Sequence, residues 1–139
     1  LPQVHDTRKQ GLVSYVIQVA QEKKVVPYIG EGANRWPAAH VSDTARLYQL
    51  AFEKAERGAI YHAVAEEGVR IRDIAEIVAR KLAMPTLSVK PEQAGEYYGW
   101  MAMFAGNDST ASSAITRQKL GWKPTGPTML ADLENLELA

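Results

Sequence analysis

The 139-residue chain contains no cysteine. Disulfides, thiol catalysis and cysteine-based zinc sites are excluded together, and a reducing, cytoplasmic setting is expected. An excess of charge is also lacking: 16 basic residues stand against 16 acidic ones, for a formal net charge of +0. Without net charge or a long basic block, the electrostatic footprint of a nucleic-acid or acidic-membrane partner is missing, and neither partner is expected. No apolar run approaches the roughly 20 residues that a spanning helix needs. The best stretch, Leu12 to Ala20, is broken by Ser14 and Gln18. Glycine is present but never in a phosphate-binding pattern. The ten glycines, at 11, 30, 32, 58, 68, 95, 99, 106, 121 and 126, nowhere satisfy GxGxxG, GxxGxxG or GxxxxGK, so no dinucleotide or phosphate loop is expected in this chain.

The remaining composition, 46% hydrophobic and 23% charged, is that of a single globular domain over 1–139. Nothing resembles a signal peptide. The chain opens on Leu1, with Leu1 to Val4 already apolar, and is expected to be a piece of a longer protein.

Period and punctuation predict alternating helices and strands. Leu12, Tyr15, Val16, Val19 and Ala20 recur at three and four, giving an amphipathic helix over Gly11 to Lys24. Val25 to Ile29 reads as a strand stopped by Gly30 and Gly32. Trp36 to Val41 reads as another, with Pro37 confining it to an edge or to the strand's first residues. Ser42 or Asp43 is the expected cap of a helix through Glu56, with Ala45, Tyr48, Phe52 and Ala55 on one face. Ile60 to Ala65 reads as an apolar strand. Ile71, Ile74, Ala75, Val78 and Leu82 line the clearest helix, closed by Pro85. Leu87 to Val89 is a short strand, and Pro91 suits the first turn of a helix through Tyr98. Gly99 to Gly106 is aromatic and Met-rich, and Asn107 to Ser113 is a polar loop. A helix over Ala114 to Leu120 ends at Gly121, and a last one runs over Met129 to Leu138. This alternation predicts an α/β unit with a small mixed sheet and flanking helices.

The chemistry-bearing residues form few patterns. His5, His40 and His62 are too far apart for local metal-ligand spacing, and no metal site is expected. No serine sits in GxSxG. His62 reads as structural, whereas His5 and His40 are candidates for a site. Glu66 and Glu67 read as a solvated turn, and Arg70, Arg72, Arg80 and Lys81 as a wet helix face. Two clusters stand out. Asn34, Arg35 and Trp36, leading into His40, combine an amide, a cation and an indole suited to a polar, partly planar ligand. Tyr97, Tyr98, Trp100, Met101, Met103 and Phe104 suit either core packing or the wall of an apolar pocket. Arg35, Trp36 and His40 are expected to line one concave site with Trp100 and Phe104.

Gly30, Gly32, His40, Val41 and Asp43 form G-x-G-x7-H-V-x-D, followed by Tyr61-His62-Ala63-Val64, Ile71-Arg72-Asp73-Ile74-Ala75, Ser113 and Leu120-Gly121-Trp122-Lys123-Pro124. In this order they resemble the carboxyl-terminal portion of extended Rossmann-type short-chain dehydrogenases/reductases, the NAD-dependent epimerase/dehydratase family. The resemblance covers nearly the whole chain. It implies that the Gly-rich cofactor half is absent, together with the family's Tyr-x-x-x-Lys pair. Four residues after the tyrosines at 15, 28, 48, 61, 97 and 98 stand Val19, Gly32, Phe52, Ala65, Met101 and Ala102, none of them lysine. No catalytic residue is therefore expected here, and the chain alone should not run the family's reaction.

Carried over by position, Leu1 and Pro2 match backbone that lies against the nicotinamide. Gln3 and His5 match positions facing substrate. Asp6 stands where the family usually has glycine. The arginine that many members use for a diphosphate aligns with Trp36, and Arg35 stands one residue earlier. A shift of one swaps faces in a strand, so a smaller or more aromatic carbonyl or hydroxyl compound is as open as a sugar-like one. The resemblance implies NAD or NADP in the complete enzyme, with no tight binding by this chain. The implied partner is the missing amino-terminal half; a strand Leu1 to Val4 severed from its sheet, with an apolar face beside it, is expected to invite a second copy, as a homo-oligomer. A free-standing small-molecule-binding or oligomerisation module is the alternative.

Overall fold

Apolar positions at three and four between Gly11 and Lys24 build helix α1 (Leu12–Lys23) in the computed structural model, which describes residues 1–138. Its Val13, Val16, Ile17, Val19 and Ala20 are buried. They face strand β2 (Val26–Ile29), which pairs in parallel with β5 (Thr86–Val89). Helix α3 (Ile71–Leu82) buries Ile71, Ile74, Ala75, Val78 and Ala79 in the same core. A three-stranded mixed sheet lies alongside. Strand β1 (Gln3–His5) runs parallel to β3 (Arg35–His40), and β3 pairs antiparallel with β4 (Glu66–Arg70). Helix α2 (Val41–Lys54) follows β3 directly. Beyond β5 come a 3-10 turn at Pro91–Gln93, α4 (Ala94–Tyr98), a second such turn at Gly99–Met101, and α5 (Ala102–Ala105). The chain ends with α6 (Ala114–Leu120) and α7 (Met129–Glu134). Flanking helices on small mixed sheets are the expected α/β architecture.

Several expectations are corrected. Ile60 to Ala65 is not a strand, and the strand begins at Glu66. The apolar segment has no regular structure and is held by irregular bonds: His62 N–H donates to Thr116 Oγ1 at 2.8 Å, and Ala65 N–H to the Ala38 carbonyl at 3.0 Å. Regular pairing starts only where Glu66 meets Ala38, so an acidic run that looked like a turn forms an edge strand. Pro37 does not lie on an edge strand, since β3 is the central one; it stands among the first residues of β3, third from its start. The ladder with β4 shifts register between Trp36 and Ala38, and pairing with β1 starts at Ala38. Pro37 thus occupies the one irregularity where its missing N–H is not required.

The cap of α2 is His40, whose Nδ1 accepts from Ser42 N–H at 3.2 Å, not Ser42 or Asp43. The face of α2 that packs is also not the expected one. Leu47 and Ala51 turn to a second core of Ala63, Leu120 and Trp122, leaving Tyr48 and Phe52 exposed. Two apolar stripes run along this helix, and period alone does not rank them. The last helix stops at Glu134 instead of Leu138; Glu137 N–H then donates to the Thr7 carbonyl at 2.8 Å, drawing the tail away from helical geometry.

Candidate functional site

Three clefts meet at Leu1. One of about 160 Å³ is lined by Leu1, Pro2, Gln3, Leu12, Trp36, Pro37, Phe104 and Ser109. A second, of about 170 Å³, shares Leu1, Pro2 and Pro37 and adds His62, Ala63, Val64 and Ala111. A third, of about 260 Å³, runs from Leu1 along Leu47, Tyr48 and Ala51 to Tyr61 and Ala63. Strand β1, the bulge of β3 and α5 therefore bring Leu1, Pro2, Gln3, Trp36 and Phe104 to one place, five of the residues singled out in the sequence.

Local chemistry fixes how Gln3 sits. Its Oε1 accepts from Leu12 N–H at 2.7 Å, satisfying one of the free donors at the start of α1. Gly11 makes this possible: it has φ +60°, and a Cβ there would stand 2.5 Å from that same oxygen. The helix start is thus filled by a carboxamide of the chain itself. Because Oε1 must face an N–H donor, the amide orientation is determined, and Nε2 is the atom left over.

Trp36, only 3% exposed, belongs to the core and offers the cleft an apolar wall. Arg35, on the other face of β3, is engaged elsewhere. Its Nε and Nη2 meet Asp108 Oδ1 and Oδ2 at 3.2 and 3.1 Å, its backbone N–H donates to Asp108 Oδ1 at 2.8 Å, and its carbonyl accepts from Ser109 N–H at 2.7 Å. This guanidinium holds the Asp108 carboxyl below the usual carboxylate range, and the carboxylate in turn raises Arg35. Asn34 completes the tie, with Nδ2 donating to the Ala105 and Asn107 carbonyls. Asn34 and Arg35 therefore shape the cleft by anchoring the loop that carries Ser109. Trp100 lies outside the lining and continues its aromatic wall, edge-on to Phe104 at 6.4 Å and tilted against Tyr15 at 5.3 Å.

His5 and His40 do not line these clefts. His5 is 1% exposed, with Nδ1 2.6 Å from Asp132 Oδ2 and Nε2 4.0 Å from Glu66 Oε2. His40 Nε2 lies 3.6 Å from the same Asp132 oxygen. Asp132 and Glu66 were not legible as members of this cluster, since each comes from a distant element with no local motif. Among the described residues, no group of three or more His, Asp or Glu side chains is arranged to hold a metal ion. The Leu120-to-Pro124 motif is structural. Trp122 Nε1 donates to the Asp43 carbonyl at 2.9 Å, the Asp43 carboxylate accepts from Thr125 and Gly126 N–H at 3.0 and 2.8 Å, and Arg117 lies over the indole.

No family model matches the chain. The chain is 46% identical over 132 residues to the uncharacterized protein C2A9.02 of Schizosaccharomyces pombe, covering 95% of this chain and 45% of that protein. It is 34% identical over 130 residues to the uncharacterized protein YLL056C of Saccharomyces cerevisiae, covering 94% and 44%. The chain thus spans just under half the length of the curated relatives it matches. Among solved structures, it superposes on the dTDP-glucose 4,6-dehydratase DesIV of Streptomyces venezuelae, solved with NAD, at TM-score 0.68 and 16% identity, covering 96% of this chain and 39% of that one. MoeE5 with UDP-glucuronic acid and NAD gives TM-score 0.65 and 18% identity, covering 97% and 43%. The NAD-dependent NDP-hexosamine 5,6-dehydratase TunA gives 0.66 and 11%, covering 96% and 42%. The fold is that of the carboxyl-terminal part of short-chain dehydrogenase/reductase-fold proteins. No helix among the described residues is long and apolar enough to cross a membrane.

Proposed function

We propose that this chain is the substrate-binding portion of an NAD(P)-dependent oxidoreductase, epimerase or dehydratase that acts on a sugar-like or small carbonyl or hydroxyl compound. The observation that carries the reading is the junction of three clefts at Leu1 and Pro2, on a fold that in its solved neighbours belongs to enzymes holding NAD. Two glycines that could open a phosphate cradle, one before α1 and one against α3, are closed by side chains. Gly11, at the start of α1, is filled by Gln3, and Gly32 packs against Arg72 and Tyr28. We therefore assign the cofactor to a preceding half. The role of this chain is to bind and orient: Trp36, Phe104 and Leu12 exclude water from one side of the substrate, and Gln3 fixes its polar end.

The face of α2 supports a partner half as well. Tyr48 and Phe52 stand exposed on this helix, and Tyr48 shares the adjoining cleft with Leu1. An apolar stripe of this kind suits burial against the remaining half of a protein as long as the relatives.

The test is the gene product in its source cell. A protein roughly twice this length that binds NAD or NADP at micromolar concentration by calorimetry, when the 139-residue chain alone does not, supports the reading. A natural product of 139 residues, or tight dinucleotide binding by that chain, removes it in favour of a free-standing binding module.

A further inference from the structure

Among the described residues, one buried side-chain polar atom lacks a hydrogen-bond partner: His5 Nε2. Its surroundings make that lack informative. His5 Nδ1 stands 2.6 Å from Asp132 Oδ2, so Nδ1 carries a hydrogen and donates it to the carboxylate. In a neutral ring Nε2 is then a bare acceptor, and the atom facing it at 4.0 Å, Glu66 Oε2, is an acceptor too. His40 does not supply the missing hydrogen. Its Nδ1 accepts from Ser42 N–H, which leaves its donor on Nε2, and that nitrogen lies 3.6 Å from Asp132 Oδ2.

The charges are as unbalanced as the hydrogen bonds. Among the described residues, no lysine or arginine nitrogen lies within 4.0 Å of the Asp132 or Glu66 carboxylate. Arg117 on α6 is committed to the Val64 and Ala65 carbonyls, and Arg80, which reaches α7, to Glu134. Asp6 after β1 and Asp43 on α2 add only negative charge beside His40. Two carboxylates, one of them almost wholly buried, therefore face two histidines and no permanent cation. One further proton answers both deficits. On His5 Nε2 it gives the orphaned nitrogen a hydrogen for Glu66 and sets a positive charge between two negative ones.

We propose that these four side chains form a proton-operated latch, closed by a proton that His5 Nε2 carries and donates to Glu66 Oε2, and opened when that proton leaves. It joins β1 through His5, β3 through His40, β4 through Glu66 and α7 through Asp132. Glu66 is the moving part, being half-buried where His5 and Asp132 are enclosed. Its Oε2 also accepts from Met129 N–H at 2.9 Å, at the first residue of α7. A bare Nε2 repels this carboxylate, so losing the proton loosens β4 and the start of α7 together. The latch goes beyond the functional reading above and does not rest on it.

The sign follows from linkage. The folded chain holds a proton that the unfolded chain gives up above about pH 6, so stability falls as pH rises from there. Urea unfolding of the 139-residue chain between about pH 6 and about pH 9 reads this, with the unfolding constant rising up to about tenfold per pH unit at the steepest. Glu66→Gln places a fixed N–H donor opposite His5 Nε2 and keeps an oxygen for Met129 N–H. Its profile should be flatter, and at about pH 9 it should be at least as stable as wild type. NMR of the His5 ring nitrogens in wild type needs no variant and decides the matter even if Glu66→Gln fails to fold. Both nitrogens should carry hydrogen at about pH 6, and Nδ1 alone at about pH 9. Parallel unfolding profiles for the two proteins, or a His5 Nε2 in the same state at both ends of the range, would each overturn the latch.

Discussion

His5 Nδ1 meets Asp132 Oδ2 at 2.6 Å across 127 positions of sequence, tying the first strand to the last helix inside the core. Both side chains are buried, and His40 Nε2 approaches the same carboxylate oxygen at 3.6 Å. The other ring nitrogen of His5 is buried without a hydrogen-bond partner among the described residues. The tie sets where β1 lies, and β1 carries Gln3 two residues before His5. The histidine thus acts on the cleft by holding its strand.

Removing the acceptor should be expensive. Asp132→Ala leaves His5 Nδ1 without its acceptor in a dry site, and a loss of about 3 kcal/mol is expected. Asp132→Asn retains an oxygen and should lose about 1 kcal/mol. Urea unfolding of the three proteins checks this, with equal midpoints for wild type and Asp132→Ala as the contrary result.

Tyr98 gives an alkaline limit. Its ring is buried, its hydroxyl donates to the Pro27 carbonyl, and burial pushes its pKa well above the ordinary 10.0. A folded-state pKa raised above the unfolded one means that the contribution is complete below pH 10 and is lost as pH rises beyond it, because only the unfolded chain ionises readily. Stability measured above pH 10 should therefore fall less steeply in Tyr98→Phe than in wild type, although that variant loses a hydrogen bond at neutral pH.

The acid side has the opposite sign. Asp6 is held below its ordinary 3.8 by backbone N–H donors, Lys9 first and then Arg8, and Asp108 by the Arg35 guanidinium and then its N–H. Depressed folded-state values contribute stability above the unfolded pKa and lose it as pH falls below about 3.8. These groups are exposed, so the effect is local. Below that pH, or in Asp108→Asn, amide exchange at Ser109 should quicken while the global unfolding midpoint barely moves. A large shift of the midpoint in Asp108→Asn would mean that the loop carries more of the fold than its exposure implies.

Much of this was readable because it is local. Periodicity located α1 and α3, Gly30 and Gly32 marked the turn that packs on α3, and Gly121 at φ +66° closes α6 as its position required. What escaped depends on pairings between distant segments. Pro37 in a central strand is acceptable only because two ladders leave a gap there, a fact that belongs to β1 and β4. Arg35, read as a ligand-binding cation, spends its donors on Asp108, 73 positions away. Gln3 was expected at the site from resemblance alone. The reason it can serve, an oxygen claimed by Leu12 N–H beside a glycine, is visible only in three dimensions.

The exposed stripe of α2 separates the two halves of the functional reading most directly. Phe52 is 94% exposed and Tyr48 62%, so replacing both with Ser in the 139-residue chain should change stability by no more than about 0.5 kcal/mol. In a longer product whose other half covers this stripe, the same two changes expose apolar surface worth about 3 kcal/mol in total. The prediction is a double variant that is silent in the short chain and destabilising in the long one, read by urea unfolding of both. The contrast matters more than either value, since intrinsic helix propensity changes equally in the two contexts and cancels. If the long product tolerates both serines as easily as the short chain does, α2 faces water in the whole protein and the partner half docks elsewhere.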